Sequence, residues 1–210
     1  MAGPYAIGVL ALQGDFAEHA SMLRSAASTL GLELLLREVR LPRDLEGLDG
    51  LIVPGGESTT IGKLLVTYGL ELPIRELAQQ GIPVWGTCAG MILLANQVEG
   101  GAPDGSIGLM DMTVQRNAFG RQRESFEIDL PFEGVDHPIR AVFIRAPIVE
   151  ALGPRAHSLA ALKNGAVVAV RQGNLLATAF HPELTNDDSV HAWFLREMVA
   201  ADSTESQIAV

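Results

Sequence analysis

The chain of 210 residues contains one cysteine, Cys88, and this scarcity narrows the classes of protein that it can represent. A single cysteine excludes an intrachain disulfide and any zinc or iron–sulfur site that needs several thiolates. A chain without disulfides suits a reducing compartment, so we expect a cytoplasmic protein. The H-E-x-x-H motif and paired-histidine spacings are also missing, so the sequence predicts no metal site.

Basic residues and long apolar runs are scarce as well. Fifteen Lys and Arg stand against 25 Asp and Glu, which gives a net charge of −10. Such a charge repels the phosphates of nucleic acids and anionic membranes. No apolar run approaches the ~20 residues that a bilayer span needs, and the apolar residues 6–12 lack the basic flank of a signal peptide. We therefore expect neither nucleic acid nor membrane as a partner.

Apolar residues make up 48% of the chain, and their pattern predicts an α/β fold. In the first half, short runs that are apolar on both faces, such as residues 7–12, alternate with amphipathic helical segments. This order is typical of a doubly wound, mostly parallel sheet flanked by helices. In the second half, residues 110–115 and 125–130 alternate apolar and polar side chains, which predicts a small antiparallel excursion such as a hairpin. We expect one domain over residues 1–200 and a frayed tail over 201–210.

The most informative motif surrounds the cysteine. Residues 82–94 predict a strand, a G-x-C-x-G turn and a helix, with Gly86 and Gly90 on either side of Cys88. This is the layout of a nucleophile elbow, in which small neighbours make room for a strained turn that lifts the nucleophile clear of the sheet. The N-terminus of the helix would favour a thiolate and aim the Ala89 amide at a developing oxyanion. A lone cysteine is more often a small buried residue, but that role requires neither the glycines nor the junction.

A cysteine that attacks an amide needs a base, and His181 is the histidine best placed to supply it. It follows the apolar residues 175–180, at the carboxyl end of a predicted strand, where α/β folds gather catalytic groups. Glu183 lies two residues further on, so its carboxylate can orient the imidazole and complete a Cys-His-Glu triad. The alternative is a strand-end histidine in a proline turn. The other four histidines are predicted to be surface or capping residues: His19, His137, His157 and His191.

A Gly-rich turn and several arginines offer groups that can bind an anion. Residues 51–60 predict a strand, a turn and a helix, but Glu57 stands where a phosphate-binding loop needs its first glycine. A plain β-turn capped by Ser58 is the simpler interpretation. A substrate carboxylate favours a bidentate guanidinium, which either Arg116 or Arg145 is placed to supply, although most surface arginines are merely solvated.

Three segments, in their order and spacing, resemble the triad, or class I, glutamine amidotransferases. They are Pro54-Gly55-Gly56-Glu57-Ser58, Gly86-Thr87-Cys88-Ala89-Gly90 and His181-Pro182-Glu183. Further motifs narrow the resemblance to the glutaminase subunits of pyridoxal 5'-phosphate synthases: residues 8–14 and 55–60, Arg116-Asn117-Ala118-Phe119-Gly120-Arg121-Gln122, and Phe143-Ile144-Arg145-Ala146-Pro147. The resemblance runs over about residues 5–199, and the combination of motifs makes it specific.

The resemblance implies a reaction and the residues that perform it. Cys88 attacks the side-chain amide of glutamine, His181 carries the proton and Glu183 orients His181, so that a γ-glutamyl thioester is hydrolysed to glutamate and ammonia is released. The implied L-glutamine site consists of Gly56, Glu57, Ser58, Arg116, Ile144 and Arg145. The implied oxyanion hole consists of the amides of Gly56 and Ala89.

The resemblance also implies a partner, and no cofactor for this chain. Ammonia released into neutral water is protonated, so a barrel-shaped synthase subunit receives it within a large hetero-oligomer and makes pyridoxal 5'-phosphate as the product. Two alternatives remain open. One is a cysteine hydrolase of the same fold that acts alone on γ-glutamyl conjugates, and the other is a non-catalytic docking module, which has no reason to keep an intact triad.

Overall fold

The computed structural model describes residues 3–116 and 125–201. Its helices are α1 (Phe16–Leu30), α2 (Ser58–Tyr68), α3 (Glu71–Gln79), α4 (Ala89–Leu94) and α5 (Ser189–Phe194). Its strands are β1 (Tyr5–Leu10), β2 (Leu34–Val39), β3 (Gly50–Val53), β4 (Val84–Thr87), β5 (Ala95–Val98), β6 (Met110–Gln115), β7 (Ser125–Leu130), β8 (Ile139–Ile144), β9 (Ile148–Leu152), β10 (His157–Ala161), β11 (Val167–Gln172) and β12 (Leu175–Thr178). Two 3₁₀ turns (Pro42–Leu45 and Pro182–Leu184) and a π-helical continuation of α5 (Leu195–Ala200) complete the described elements.

The central sheet has the strand order β2-β1-β3-β4-β12-β11-β9-β6-β5, and β10 pairs with β11. The first five strands in this order, β2, β1, β3, β4 and β12, pair in parallel, and β5 pairs with β6 in parallel. The strand β11 runs antiparallel to β9, β10 and β12, and β9 also runs antiparallel to β6. A separate two-stranded antiparallel sheet joins β7 to β8. The predicted doubly wound, mostly parallel α/β fold with a small antiparallel part is therefore confirmed.

Two neighbouring residues of β4 show how helices cover both faces of the sheet. The Trp85 ring packs against Phe194 of α5 at a centroid distance of 5.4 Å and against His19 of α1 at 5.7 Å. A Cβ at Gly86 would lie 2.7 Å from the Leu94 side chain of α4. Because successive strand residues point to opposite faces, α1 and α5 lie on one side and α4 lies on the other.

One local expectation is wrong, and one strand was not foreseen. The helix predicted within residues 82–94 is confirmed as α4, which ends at Leu94 because the next residues pair with β6. The strands β6 and β7 do not form a hairpin, since β6 buries its apolar side chains in the central sheet whereas β7 pairs with β8. The strand β9 was not expected, because its short sequence gives little periodicity.

Three parallel strands bring the sequence motifs to one edge of the sheet. The strands β3, β4 and β12 are neighbours, so Pro54, Cys88 and His181 all follow carboxyl ends that lie side by side. The Cys88 amide donates to the Thr178 carbonyl at 2.8 Å, and the His181 amide donates to the Val142 carbonyl at 2.8 Å. Within residues 3–116 and 125–201, no helix is long and apolar enough to span a bilayer.

Candidate active site

Cys88 lies at a sharp turn between β4 and α4, as the elbow motif predicts. Its backbone has φ 48° and ψ −99°, a conformation that few residues other than glycine adopt. The turn is tight enough that a Cβ at Gly90 would lie 2.1 Å from the Val53 carbonyl oxygen, and one at Gly86 would lie 2.5 Å from the Gly90 carbonyl carbon. Any side chain at either position would push the helix away from the sheet, so both glycines are needed to hold the cysteine where it is.

His181 and Glu183 form a buried pair beside the thiol. The His181 Nδ1 and Glu183 Oε1 atoms are 2.7 Å apart, and Asp15 Oδ2 lies 3.4 Å from the same nitrogen. Burial opposes the charged imidazole, but hydrogen bonds with Asp15, Cys88 and Glu183 together raise the pKa of His181 above its ordinary value. Burial raises the pKa of the Glu183 carboxyl, and its bond to His181 opposes that rise. The structure therefore brings the three predicted triad residues together and adds a second carboxylate, Asp15, which sequence reasoning missed.

The thiol opens into a cavity of about 420 Å³, within the range of ligand-binding pockets. Its lining includes all six residues predicted for the glutamine site and both predicted oxyanion donors: Gly56, Glu57, Ser58, Cys88, Ala89, Arg116, Ile144, Arg145 and His181, together with Asp15, Ile92 and Leu184. Glu183 is absent from this wall because it lies behind His181 and is only 4% exposed.

Glu57 has a structural as well as an electrostatic place in the site. Its carboxylate caps α2 by accepting from the Thr60 amide at 2.8 Å and from the Thr59 hydroxyl. The Thr59 bond is the main cause that lowers the pKa of Glu57 to about 2; burial acts in the opposite direction, and the bonds with Thr60 add to the lowering. Its own amide donates to Gln13 Oε1 at 2.8 Å. The expected cap by Ser58 is wrong, because Ser58 is buried in the first turn of α2 and the longer Glu57 side chain reaches the helix amides.

Two arginines lie at the cavity, so the structure does not choose between them. Arg116 Nη2 is 3.7 Å from Glu57 Oε1, and Arg145 follows β8 with φ 46°. The carbonyl of Ile144 accepts a long hydrogen bond of 3.9 Å from the Cys88 thiol, which places the end of β8 over the nucleophile. The expected arginine-rich motif continues through residues 117–124, which lie outside the described residues, as does the expected frayed tail from 202 onward.

Two histidines behind the triad overturn a prediction. His19 and His191 are fully buried, not surface or capping residues, because α1 and α5 pack together on the Trp85 side of the sheet. The signal was present at His19, which lies three and four residues before the buried Met22 and Leu23 on one helical face. The remaining two, His137 and His157, are exposed as expected.

One group of described residues has the composition of a metal site. Asp15, His181 and Glu183 each place a ligand atom within 4.8 Å of the others. This proximity follows from the two carboxylates that both face His181 Nδ1, at 2.7 and 3.4 Å, where an imidazolium proton satisfies them. The absence of a metal site stays a prediction.

Comparisons with known proteins find glutamine amidotransferases or pyridoxal 5'-phosphate synthase subunits, and each match covers about nine tenths of the chain. The model of the SNO glutamine amidotransferase family matches residues 9–200. Pyridoxal 5'-phosphate synthase subunit PdxT of Roseiflexus sp. (strain RS-1) is 57% identical over 192 residues, covering 90% of this chain and 98% of the relative. The subunit of the same name from Niallia circulans is 54% identical over 189 residues, covering 90% and 95%. A crystal structure of a glutamine amidotransferase has a TM-score of 0.82 at 49% identity and covers 92% of this chain and 98% of that one.

Proposed function

Because the chain belongs to the SNO glutamine amidotransferase family, we propose that it is the glutaminase subunit of a pyridoxal 5'-phosphate synthase. The proposed reaction hydrolyses L-glutamine to L-glutamate and ammonia, which passes to a barrel-shaped synthase subunit in a hetero-oligomer. The proposal covers one glutaminase domain over residues 1–200, no cofactor, and a cytoplasmic location suggested by the single cysteine. The observation that carries it is the elbow that places Cys88 beside His181 and Glu183.

The proposed chemistry proceeds in two halves. In the first, the Cys88 thiolate attacks the side-chain amide carbon of glutamine, and the oxyanion that forms is held by the Gly56 and Ala89 amides. The imidazolium of His181 then protonates the departing nitrogen, which leaves as ammonia and gives a γ-glutamyl thioester. In the second half, His181 takes a proton from water as that water attacks the thioester. Collapse of the second oxyanion breaks the C–S bond, so that the Cys88 thiolate leaves beside the His181 imidazolium and the glutamate formed loses its carboxyl proton to water.

The electrostatics of the site support these roles. The hydrogen bonds that raise the pKa of His181 favour its protonated form, so the proton of the Cys88 thiol can transfer to the imidazole and form a thiolate–imidazolium pair. The start of α4 adds amide dipoles that favour negative charge on the sulfur. Glu183 holds the His181 ring by Nδ1, which leaves Nε2 to exchange protons with the thiol and the substrate.

The cavity also suits both ends of a free amino acid. An ionised Glu57 carboxylate complements the ammonium group of glutamine. Arg116 and Arg145 complement its carboxylate, for which a guanidinium is the usual partner. Gly56, Ser58 and Ile144 complete the proposed glutamine site.

The deciding experiment measures glutamate release from glutamine by the purified chain, with and without a pyridoxal 5'-phosphate synthase subunit. We expect release that increases with the synthase and disappears in Cys88→Ala and His181→Ala. His157→Ala is the matched control, since His157 is exposed and lies outside the cavity. Partner-independent release, with bulkier γ-glutamyl amides accepted, would instead identify a self-sufficient hydrolase. No release with a synthase that binds would identify a docking module.

A further inference from the structure

A chain of buried polar groups continues from the triad into the core. Glu183 Oε2 points away from His181 and lies 3.4 Å from His19 Nε2, and both side chains are fully inaccessible to solvent. His19 Nε2 also lies 3.1 Å from the Thr87 hydroxyl, and His19 Nδ1 lies 2.9 Å from His191 Nε2. The proposed glutamine chemistry at Cys88 gives no role to His19, Thr87 or His191, so these three residues need a different explanation.

The hydrogen-bond pattern fixes which nitrogens carry protons. Within the described part of the chain, His191 Nδ1 is buried and has no hydrogen-bond partner. Buried N–H groups without an acceptor are rarer than buried acceptors without a donor, so the proton of a neutral His191 belongs on Nε2. That proton is donated to His19 Nδ1, which forces the proton of His19 onto Nε2, where it faces Glu183 and Thr87.

Both rings remain neutral in this arrangement. Burial is the main cause that lowers the pKa of His19 well below its ordinary value, with His191 and His181 acting in the same direction. Burial likewise lowers the pKa of His191 to about 3, and Asp187 opposes this only weakly. Each ring therefore has one proton to donate at neutral pH.

We propose that His19 is a positioning residue for the triad, whose Nε2–H faces the outer oxygen of Glu183 while His191 holds His19 in the required tautomer. This inference rests on the proposed function. Glu183 Oε2 makes no hydrogen bond of standard geometry among residues 3–116 and 125–201, and the structure gives it an ion-pair contact of 3.4 Å with His19 Nε2. A buried carboxylate oxygen without a donor carries a desolvation penalty, so the positive end of the nearby His19 N–H dipole favours an ionised Glu183 that points at His181.

The proposal predicts a change in acid–base behaviour. The titratable groups that face Glu183 are His181, Asp15 and His19. Without the His19 donor, the pKa of Glu183 rises further, so the carboxyl gains its proton at a higher pH and stops supporting the imidazolium. The support that the His181 imidazolium gives to the Cys88 sulfur then weakens. The His19 side chain lies outside the cavity lining, so glutamine binding has no reason to change.

The test compares two variants of one position. His19→Phe keeps a ring and removes the donor, whereas His19→Gln keeps an N–H near the position of Nε2. The primary measurement is the rate of Cys88 alkylation by iodoacetamide as a function of pH, which reports thiolate content without any need for substrate. We expect the acid inflection of His19→Phe to rise by about one pH unit and its kcat for glutamine to fall about tenfold at unchanged KM. His19→Gln should restore both.

Several outcomes decide the matter. A wild-type inflection and kcat in folded His19→Phe would overturn the proposal, as would a His19→Gln variant that behaves like His19→Phe. If His19→Phe does not fold, His191→Phe takes its place in the test, because this substitution removes the proton that sets the His19 tautomer. An unchanged acid inflection in His191→Phe would also overturn the proposal. Absence of glutamine turnover in the wild type would count against the proposed function alone, since the alkylation profile does not depend on it.

Discussion

The strained backbone at Cys88 predicts that glycine is tolerated there better than at an ordinary buried position. The residue has φ 48° and ψ −99°, and a conformation of this kind costs a residue with a Cβ about 1–3 kcal/mol. Cys88→Ala removes the thiol but keeps the Cβ and therefore the strain. Cys88→Gly removes the strain as well, so the difference in stability between the two variants reports the cost of the backbone strain.

The magnitude follows from two ordinary costs and one gain. A buried Ala→Gly change loses about 0.8 kcal/mol of methyl burial and about 0.4–1 kcal/mol through the freer unfolded chain. At position 88, which is 6% exposed, relief of about 1–3 kcal/mol of strain works against these costs. The free energy of unfolding of Cys88→Gly should therefore lie close to that of Cys88→Ala or above it.

The assay is urea unfolding at neutral pH, with Ala26→Gly as the calibration. Ala26 is fully buried within α1, so replacing it carries the ordinary costs without any relief of strain. We expect the alanine-to-glycine cost at position 88 to be smaller than at position 26 by about 1–3 kcal/mol. Equal costs at the two positions would refute the strained elbow and, with it, the argument that the fold forces the nucleophile into this turn.

Three further predictions test the burial and close packing around the site. The pKa of His191 is about 3 in the folded protein, below its unfolded value, so the unfolded state takes up a proton first as pH falls below about 6.5 and stability decreases. Urea unfolding between pH 6 and 5 gives the slope of the free energy of unfolding against pH. His191→Phe should reduce that slope by up to about 1.4 kcal/mol per pH unit, and an unchanged slope would contradict burial of a neutral His191. Gly90→Ala, whose Cβ would lie 2.1 Å from the Val53 carbonyl oxygen, should lower the free energy of unfolding by about 1–3 kcal/mol; wild-type stability would show that α4 can move. Gly55→Ala, whose Cβ would lie 2.4 Å from His181 Cε1, should lower kcat about a hundredfold in steady-state assays by displacing the ring, and full activity would contradict this packing.

The triad positions could be predicted because their signals are local. Cys88 lies in a strand–turn–helix motif whose glycines are required within a few residues, and His181 and Glu183 are two residues apart on one segment. Parallel strands then bring the two segments together without any further information, since carboxyl ends of neighbouring parallel strands share an edge. The distance of 2.7 Å between His181 Nδ1 and Glu183 Oε1 lies within one of these segments, whereas the contact between His181 and Cys88 is the outcome of the pairing of β12 with β4.

The strand pairing of the second half could not be predicted in the same way. The residues of β5 continue the apolar pattern of α4, and only pairing with β6 fifteen residues later turns them into a strand. The strand β9 joins the sheet between β11 and β6, two elements that lie on opposite sides of it in sequence. Pairings of this kind depend on tertiary contacts that override local propensity.

The buried histidines mark a limit of a different kind. His19 and His191 are 172 residues apart, and each alone is an ordinary polar residue in an amphipathic helix. A single buried imidazole would leave its polar atoms without partners, which makes the surface interpretation the reasonable one for either residue taken alone. The two become compatible with burial only together, because the His19 and His191 rings form a hydrogen bond with each other and the Thr87 hydroxyl lies 3.1 Å from the second nitrogen of His19. A histidine on the buried face of a helix beside a catalytic strand is therefore best judged with the histidines of every other helix that packs on that strand.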